Sequence, residues 1–569
     1  MIMSLCHRLA TPLHTAVFVL VSFALSPGAR AATSLDTNAT VVSAESALQR
    51  GDCGLASRQY RLSAQQLAQV ELASRATEVA LACGQSDEAL VAADRWVKLA
   101  PGDSDAALAQ VRAELVAYRI AEARAHFKTW LGVADRNVPD AIDALAQSAG
   151  NEPALAMFRD LDHPALKSAE AQRALAELAL QTWDAGAALR FAQGARVAAS
   201  KGPGVAGLIA RAQAIQGNET AALSAAREAV AEKGGALTLA QVQLLLGQDE
   251  AAEKELQRLR GDKEVGAPAS RQLAQLAFER GDYAVAEQRC DALLREPNSA
   301  PLAVYLLGVL NERRGDDATA LRNYRLLLGT GFEGQGKRRA AVILYRQGER
   351  ASALRLLEAT RGADPQERIR AEIGAADLLS LVDAPDEALG HIDGALRRSP
   401  GNPELDYQRA VLLERDGKVD AALALLESLH RVRPLDAAIT NALGFTLADH
   451  KRTLPRAEQL IREALQSQPD DPAMLDSLGW VLYRRGQAGA AAPILARAYR
   501  LLHDGDIGAH WGEALWAAGQ KAAATAAWQR ALAADPDNAH LTMTVAHYAP
   551  NLAAPKPPPA LEAAPRTSI

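Results

Sequence analysis

Aromatic residues, cysteine and surplus positive charge are all scarce in this chain of 569 residues. Phe, Trp and Tyr together make up 4% of it, cysteine occurs four times, and the formal net charge is −6. Nucleic acid attracts proteins with a basic surplus, so the charge predicts no nucleic-acid partner. The metal-binding patterns H-E-x-x-H and paired C-x-x-C are absent, as is the nucleophile elbow G-x-S-x-G. The residues therefore assemble no catalytic site and no metal site, and they predict no cofactor.

Two glycine-rich segments come closest to nucleotide-binding motifs. Residues 331–338 (GFEGQGKR) approach the phosphate loop, but Arg338 stands where that loop needs Ser or Thr. Residues 202–207 (GPGVAG) have the spacing of the dinucleotide fingerprint. Both motifs work between a strand and a helix, and no strand pattern precedes either segment. We therefore expect two turns between helices.

Four histidines near the end of the chain form two pairs with a spacing of seven residues. His503 pairs with His510, and His540 with His547, so that each pair could share one face of a helix. A metal site needs three or four converging ligands, which these pairs do not supply. We expect histidines that are solvated or packed in the core.

A long-range repeat is what the chain does have. At 569 residues it is too long for one compact core, which usually stops growing near about 250–300 residues. Alanines recur through most of its length at intervals of 30 to 35 residues, most often 34; they are Ala56, Ala89, Ala123, Ala154, Ala188, Ala222, Ala252, Ala286, Ala320, Ala353, Ala388, Ala422, Ala457, Ala491 and Ala524. We call these fifteen positions the ladder alanines.

Other positions keep the same register as the ladder alanines. The residue four places later is apolar in every unit, for example Phe127, Tyr324 and Trp528, and this spacing predicts one face of a helix. Twelve places after a ladder alanine, several units have proline, as at Pro434 and Pro469, where a second helix must stop. Each unit therefore predicts a pair of helices followed by a turn.

The most specific motif lies in the later units. A small residue recurs 12 or 13 places before the ladder alanine, as at Gly444, Gly479 and Gly512, where it lets two helices cross closely. Residues 472–486 (PAMLDSLGWVLYRRG) then match the L-G-x-x-[YL] pattern of the tetratricopeptide repeat. The chain thus resembles an all-α tetratricopeptide-repeat superhelical solenoid of about 15 helix-turn-helix units. We expect divergent repeats over 41–300 and a regular array with a cap over 301–548.

The two ends of the chain differ from the repeats. Residues 1–31 are typical of a secretory signal peptide, because Arg8 precedes an apolar run that is shorter than the ~20 residues needed to span a bilayer. We predict cleavage after Ala31, a linker over 32–40 and a periplasmic protein; an uncleaved anchor is the alternative. Residues 549–569, rich in Pro and Ala, are predicted to form a disordered tail.

The start of the exported chain offers no cysteine for lipid attachment, since Cys6 lies ahead of the apolar run. Any association with the outer membrane is therefore expected to go through a partner. Three cysteines remain after cleavage. In an oxidising compartment we predict a disulfide between Cys53 and Cys83, with two buried thiols as the alternative. Cys290 falls on a predicted core stripe.

The binding surface is expected on the first helices of the repeats, which line the inner groove in tetratricopeptide arrays. Aromatic residues are scarce overall but concentrate in the last repeats, and aromatic anchors are the usual hot spots of interfaces. The register predicts a protein-binding groove lined by Asn441, Phe445, Asp476, Trp480, Tyr483, Glu513 and Trp516. The alternative is that Trp511 is core and that Trp480 and Trp516 only pack between adjacent repeats. The groove lacks the lysines and arginines of arrays that clamp a C-terminal carboxylate.

Residues 441–448 (NALGFTLA), 476–486 (DSLGWVLYRRG) and 512–516 (GEALW) carry a closer resemblance. They are similar to a proteobacterial family typified by the outer-membrane lipoprotein adaptor of a periplasmic C-terminal processing protease. In that family the array binds the protease and its substrates, which are peptidoglycan cross-link hydrolases. The resemblance covers roughly residues 400–540 and implies a non-catalytic adaptor with those partners.

Two other functions stay open at this point. Similar arrays also serve as assembly scaffolds for envelope polysaccharide or secretion machinery, although no barrel or transferase domain follows these repeats. An enzyme with an unrecognised site, for example near His126 and His163 in the early repeats, is the alternative from another class. Nothing in the residue spacing favours it.

Overall fold

The structure is a computed structural model, and it describes residues 31–133, 136–199, 204–232, 234–296, 298–358, 364–381 and 384–552. In those ranges the backbone forms 31 α-helices and a single-turn 3-10 helix, Pro164–Lys167, and no strand occurs. The predicted all-α fold is thus confirmed. Most of the predicted signal peptide, residues 1–30, and most of the predicted tail, residues 553–569, lie outside the described residues.

Each of the 31 α-helices in the described ranges has between 8 and 19 residues, and the connections between consecutive helices are short. In chain order they are α1 (Ala31–Gln49), α2 (Cys53–Gln66), α3 (Val70–Ala82), α4 (Ser86–Leu99), α5 (Ser104–Val116), α6 (Ile120–Leu131), α7 (Val138–Ala149), α8 (Asn151–Arg159), α9 (Ala169–Gln181), α10 (Ala185–Ala198), α11 (Val205–Ile215), α12 (Glu219–Val230), α13 (Thr238–Leu245), α14 (Asp249–Leu259), α15 (Gly266–Glu279), α16 (Tyr283–Leu293), α17 (Ala300–Arg313), α18 (Asp317–Arg325), α19 (Glu333–Arg346), α20 (Arg350–Glu358), α21 (Pro365–Leu381), α22 (Pro385–Arg398), α23 (Pro403–Arg415), α24 (Val419–Val432), α25 (Ala437–Asp449), α26 (Leu454–Ser467), α27 (Pro472–Arg484), α28 (Ala488–Leu501), α29 (Gly505–Ala517), α30 (Lys521–Ala534) and α31 (Ala539–Tyr548).

The chain forms two compact units, each built from two separate stretches of sequence. The larger unit holds the described residues among 134–356 and 413–552, and the smaller unit holds those among 31–133 and 357–412. Within each unit, most consecutive helices pack on each other as antiparallel pairs, which is the arrangement that short connections between helices favour.

The turns inside the repeats follow from glycine and aspartate at fixed positions. Gly486 ends the hairpin turn after α27 with a φ of 79°, a left-handed conformation that glycine adopts at little cost. At the other end of α27, the Asp471 side chain accepts a hydrogen bond from the backbone N–H of Met474 and caps the helix, with Pro472 in its first turn. The helix α27 therefore begins and ends where the sequence supplies a cap.

All fifteen ladder alanines are completely buried, at 0% exposure. They lie on the second helix of each pair, where a methyl side chain lets the first helix approach closely. At Gly512 and Gly479 of the first helices, the crossing leaves no room for a side chain. A Cβ built on Gly512 of α29 would lie 2.0 Å from Nε1 of Trp528 on α30, and one on Gly479 would lie 2.4 Å from Cγ of Leu495. The register read from the sequence is thus the register of the packed core.

The segment 32–40, predicted as a linker, is helical backbone within α1, which begins at Ala31. The sequence of this segment has no glycine or proline that would stop a helix, so α1 extends through it. None of the helices in the described residues combines the length and apolar character needed to cross a membrane.

In the smaller unit, Cys53 and Cys83 are joined as a disulfide, with their Cα atoms 5.4 Å apart. Cys53 is the first residue of α2 and Cys83 caps the end of α3, so the bond connects successive helices near their turns. The Asn402 side chain donates to the backbone carbonyl of Cys83 at 3.4 Å. Cys290, in the larger unit, is a buried free thiol whose pKa burial raises to about 12.

In the larger unit, repeats that are far apart in the sequence also touch. The backbone N–H of Asp470 donates to the carbonyl of Trp183 at 2.9 Å, and its carboxylate accepts the N–H of Ala185 at 2.9 Å. Arg159 donates to the carbonyl of Ser467 at 2.8 Å. The loop after α26 is therefore held by the turn between α9 and α10, a contact that a purely nearest-neighbour array would lack.

Candidate protein-binding site

The seven residues predicted to line the groove lie on the first helices of three consecutive repeats. Asn441 and Phe445 are on α25, Asp476, Trp480 and Tyr483 are on α27, and Glu513 and Trp516 are on α29. We call this set the inner row. Side-chain contacts connect four of them, because His510 contacts Phe445, Asp476 and Trp480, and Trp480 stacks on Tyr483. Not all seven reach solvent. Three are buried and the other four are half-buried, namely Phe445, Tyr483, Glu513 and Trp516.

Trp480 is 4% exposed and serves as packing between repeats. Its ring stacks on His510 of the next repeat with centroids 4.0 Å apart, and its Nε1–H donates to Asp449 of the preceding repeat at 3.0 Å. The Arg484 guanidinium lies over the same ring at 5.1 Å. Of the two interpretations that the sequence left open for this tryptophan, the structure supports packing between repeats. Trp480 is not an exposed anchor, because neighbouring side chains cover its ring.

Asp476 forms a buried ion pair with His510. Asp476 is 0% exposed and His510 is 3% exposed, and Nδ1 of His510 lies 2.9 Å from Oδ1 of the carboxylate. Burial alone would lower the pKa of His510, but the facing carboxylate outweighs it and holds the pKa above its ordinary value. Sequence reasoning did not include His510 in the site. The available signal was its distance of 34 residues from Asp476, which places the two side chains on adjacent repeats.

The same pairing recurs one repeat further on. Nδ1 of His540, on α31, lies 3.2 Å from Oδ1 of Asp506 on α29, again across 34 residues. The rings of His510 and His540 are 5.2 Å apart between centroids, in an edge-to-face arrangement. His510 and His540, which the seven-residue spacing paired with His503 and His547, are therefore each held by a carboxylate of the preceding repeat.

Tyr483, Glu513 and Trp516 form the more open part of the inner row. Burial, together with the charge of the Glu513 carboxylate, raises the pKa of Tyr483 above its ordinary value. Trp516 lies beside Tyr548 of α31, with ring centroids 5.7 Å apart. The ammonium group of Lys521 lies 4.9 Å from the Trp516 ring centroid. This region combines aromatic faces, hydroxyl groups and one carboxylate at a half-buried surface.

Trp511 points away from this surface. It is half-buried and stacks on Tyr499 of α28, with ring centroids 5.5 Å apart. Its neighbour Gly512 faces Trp528, so that α29 uses one side for the inner row and the other for the crossing with α30. Trp511 is thus part of the packing between helices, which agrees with the core role that the sequence offered as an alternative.

Among the described residues, one group has the geometry to hold a metal ion: Glu414, Asp449 and His450, with ligand atoms within 4.8 Å of one another. Their side chains already interact with each other and with the protein. Nε2 of His450 is 2.7 Å from Oε1 of Glu414, and Asp449 accepts the indole N–H of Trp480 and lies 3.7 Å from Arg484. The arrangement is that of an ion-pair network linking adjacent repeats.

The near match to a phosphate loop is a turn that leads into α19. The helix begins at Glu333, within the glycine-rich segment, and no strand precedes it in the described residues. Nζ of Lys337 pairs with Oε1 of Glu333 at 2.8 Å, and a Cβ on Gly336 would lie 2.9 Å from Leu327. The lysine is engaged with its own helix, and the glycine serves helix packing.

Comparison with known proteins agrees with this architecture. Residues 271–332, 375–437, 407–472 and 451–505 match the family model described as tetratricopeptide repeat. The chain is 32% identical over 212 residues to the TPR repeat-containing protein PA4667 of Pseudomonas aeruginosa. The match covers 37% of this chain and 36% of that relative, so the chain spans about a third of the relative's length.

Two solved structures are also similar to this chain. The thermophilic TPR protein TTC0263 of Thermus thermophilus is 21% identical, with a TM-score of 0.29, covering 31% of this chain and 96% of that one. Yeast Tom70 is 13% identical, with a TM-score of 0.29, covering 91% of this chain and 98% of that one. Taken with the helix pairs and their buried alanine register, the matched segments establish that this chain carries tetratricopeptide repeats, which in general bind other proteins or peptides.

Proposed function

We propose that the protein is a non-catalytic scaffold of the cell envelope, an adaptor that brings a periplasmic processing protease to cell-wall hydrolase substrates. The observation that carries the proposal is the inner row from Asn441 to Trp516. There the resemblance to the protease adaptors overlaps the tetratricopeptide match at residues 451–505. The described residues of this region hold aromatic and polar side chains at a half-buried surface, which suits recognition of a protein segment.

A scaffold of this kind would act through effective concentration. When two proteins bind one array, their encounter becomes intramolecular, and short separations can give effective concentrations in the millimolar range. The buried ion pairs and stacked rings between repeats favour a stiff array, because each fixes one repeat on the next. The array would supply position, and the protease would supply all the chemistry.

The adaptor proposal includes an exported protein. The predicted signal peptide would be removed after Ala31, which leaves a periplasmic chain that reaches the outer membrane only through a partner. Fractionation of cells followed by intact-mass measurement tests this directly. In the periplasmic fraction we expect the mass of a chain that begins at residue 32. The mass of a chain that retains residues 1–31 would contradict the predicted cleavage.

Partner capture tests the adaptor role. The exported chain would be cross-linked in the periplasm, purified and its partners identified, with Trp516→Ala as the site variant. Arg462→Ala on the exposed face of α26 is the matched control. We expect a processing protease together with a cell-wall hydrolase, reduced by the change at Trp516 and retained by the control. Export or polysaccharide-synthesis components in their place would instead favour an assembly scaffold.

A reconstituted reaction then separates scaffolding from catalysis. The captured protease and hydrolase would be mixed with and without this chain, and the loss of intact hydrolase followed over time. Faster degradation in the presence of the chain, with no degradation by the chain alone, is the expected result. Turnover of envelope substrates by the chain alone would favour the enzyme alternative.

A further inference from the structure

One carboxylate of the inner row, that of Glu513, lies in the same region as aromatic residues of three consecutive first helices. Glu513 and Trp516 lie one turn apart on α29, Tyr483 comes from α27 and Tyr548 from α31. We call these four residues the carboxylate-aromatic patch. Burial, together with the Glu513 carboxylate, raises the pKa of Tyr483, and Trp516 lies beside Tyr548 with ring centroids 5.7 Å apart. All four side chains are half-buried, so the patch reaches solvent.

Glu513 differs from the neighbouring carboxylates in its partners. The others on this face each have a cationic or imidazole partner: Asp476 with His510 at 2.9 Å, Asp506 with His540 at 3.2 Å, Asp449 with Arg484 at 3.7 Å and Glu414 with His450 at 2.7 Å. Glu513 accepts a hydrogen bond from the hydroxyl of Thr544 at 3.4 Å, and its charge helps to raise the pKa of the nearby Tyr483. Within the described residues, no Lys, Arg or His forms an ion pair with it.

The rings beside Glu513 are themselves suited to a cation. An ammonium or guanidinium group within about 6 Å of an aromatic centroid is attracted by the negative face of the ring. Lys521 makes such a cation–π contact on one side of the patch, where its ammonium group lies 4.9 Å from the Trp516 ring centroid. Lys521 is exposed, so that it does not seal the patch from solvent.

We propose that the carboxylate-aromatic patch binds a lysine or arginine side chain of an extended partner segment. Charge complementarity selects this occupant, because the patch offers one carboxylate that forms no ion pair and three aromatic rings, of which Trp516 already attracts the Lys521 ammonium group. A partner carboxylate would instead meet Glu513 at close range and be repelled. The inference rests on the proposed protein-binding function, and it adds the chemistry of the partner at this site.

Defined peptides test the inference with the purified full chain. The probes are three fluorescein-labelled peptides, Ser-Leu-Ser-Leu-Xaa-Leu-Ser-Leu-Ser, in which the central residue is Lys, Met or Glu. Fluorescence anisotropy should show the Lys peptide binding about fivefold more tightly than the Met peptide, and the Glu peptide binding most weakly. Raising the salt concentration should reduce the difference between Lys and Met. Equal affinity for the three peptides would overturn the inference.

Two variants locate the effect. Glu513→Gln keeps the shape of the side chain and removes its charge, and Trp516→Leu removes a ring; each should bring the affinities for the Lys and Met peptides close to equality. Glu463→Gln, on the exposed face of α26, is the matched control and should leave the preference unchanged. Circular dichroism on heating shows that each variant is folded. A folded Glu513→Gln protein that keeps the full preference for Lys would contradict the assignment.

The outcome is separable from that of the adaptor proposal. A Lys preference that depends on Glu513, found together with a failure to capture any protease, would support the patch and reject the adaptor role. Capture of protease and hydrolase by a protein that binds the three peptides equally would support the adaptor and reject the patch.

Discussion

The hairpin of α9 and α10 and the hairpin of α29 and α30, both in the larger unit, fill the same helix crossing with different side chains. In the earlier hairpin the crossing holds Ala176 and Ala192, both fully buried in one apolar cluster. In the later one the first helix has Gly512 and the second has Trp528, also fully buried. The crossing therefore has a similar space to fill in both hairpins, and either two methyl groups or one indole can fill it.

The two regions also differ in how they use charge. The pair formed by Arg196 and Glu228 in the early repeats is exposed on both sides, at 40% and 57% of the side chains. The pair formed by Asp476 and His510 in the late repeats is buried. Exposed pairs contribute little to stability, whereas a buried pair leaves an uncompensated group when one partner is removed. Of these two pairs, the buried one therefore fixes its repeats on each other more firmly.

The largest expected effect breaks the buried pair. Asp476→Ala should lower the free energy of unfolding by about 3–5 kcal/mol, because it leaves His510 buried without its carboxylate. Glu228→Ala, which removes one partner of the exposed pair, should lower it by no more than about 1 kcal/mol. Urea denaturation of both variants measures the two changes. Similar losses for the two would contradict the distinction between early and late repeats.

A disulfide bond is the second difference, because the early repeats of the smaller unit have one between Cys53 and Cys83. Replacing both Cys53 and Cys83 by Ala should lower the free energy of unfolding by about 2–4 kcal/mol, the usual range for a loop of this order. Reducing agent should then have no further effect on the double variant, which serves as its own control. Peptide mapping without reduction that found both thiols free would contradict the bond.

A methyl group added at the late crossing has the next largest expected effect. Gly512→Ala should lower the free energy of unfolding by about 1–3 kcal/mol, because its Cβ would overlap the Trp528 indole. Gly489→Ala is the matched control in α28, where no atom lies within 4 Å of the added Cβ. There the change should stabilise the helix by roughly 0.5–1 kcal/mol. Thermal unfolding followed by circular dichroism gives both values, and a destabilised control would contradict the steric argument.

The smallest expected effect is on pH dependence. The pKa of His510 in the folded protein lies above its ordinary value, so its stabilising contribution is fully present below the pKa of an unfolded histidine, about 6.5. That contribution is lost as pH rises through the folded pKa. His510→Gln should therefore flatten the decline in stability on the alkaline side, as measured by urea denaturation at a series of pH values. An unchanged pH profile in the variant would contradict the role of His510.

The sequence was sufficient for the repeat but not for the use of each aromatic residue. Ala491 and the other ladder alanines identify the second helices, because the same close crossing of two helices recurs about every 34 residues. All of them are buried in the structure. Trp480 and Trp516 occupy inward register positions alike, yet one is covered and the other half-buried. A tryptophan can fill a core or anchor a partner, and only its neighbours decide which role it takes.

Contacts between distant repeats could not be predicted at all. The hydrogen bond from Asp470 to Trp183 joins residues that no period relates. One local signal was present, because Trp183 stands at a turn position where most repeats have glycine, and it adopts a φ of 55°. A bulky residue in this conformation is strained by itself and indicates that the surrounding structure holds it. The sequence shows that Trp183 replaces the usual glycine, but only the folded structure shows that its carbonyl group is bonded by Asp470.

Site-specific photo-cross-linking tests the central claim most directly, which is that the inner face of the last repeats receives the partner. A photoreactive phenylalanine analogue would replace Trp516 on the inner face or Arg462 on the exposed face of α26, and the cells would be irradiated. The account predicts covalent products with envelope proteins from position 516 and none from position 462. Products from position 462 alone would contradict it and move the binding surface to the opposite helices.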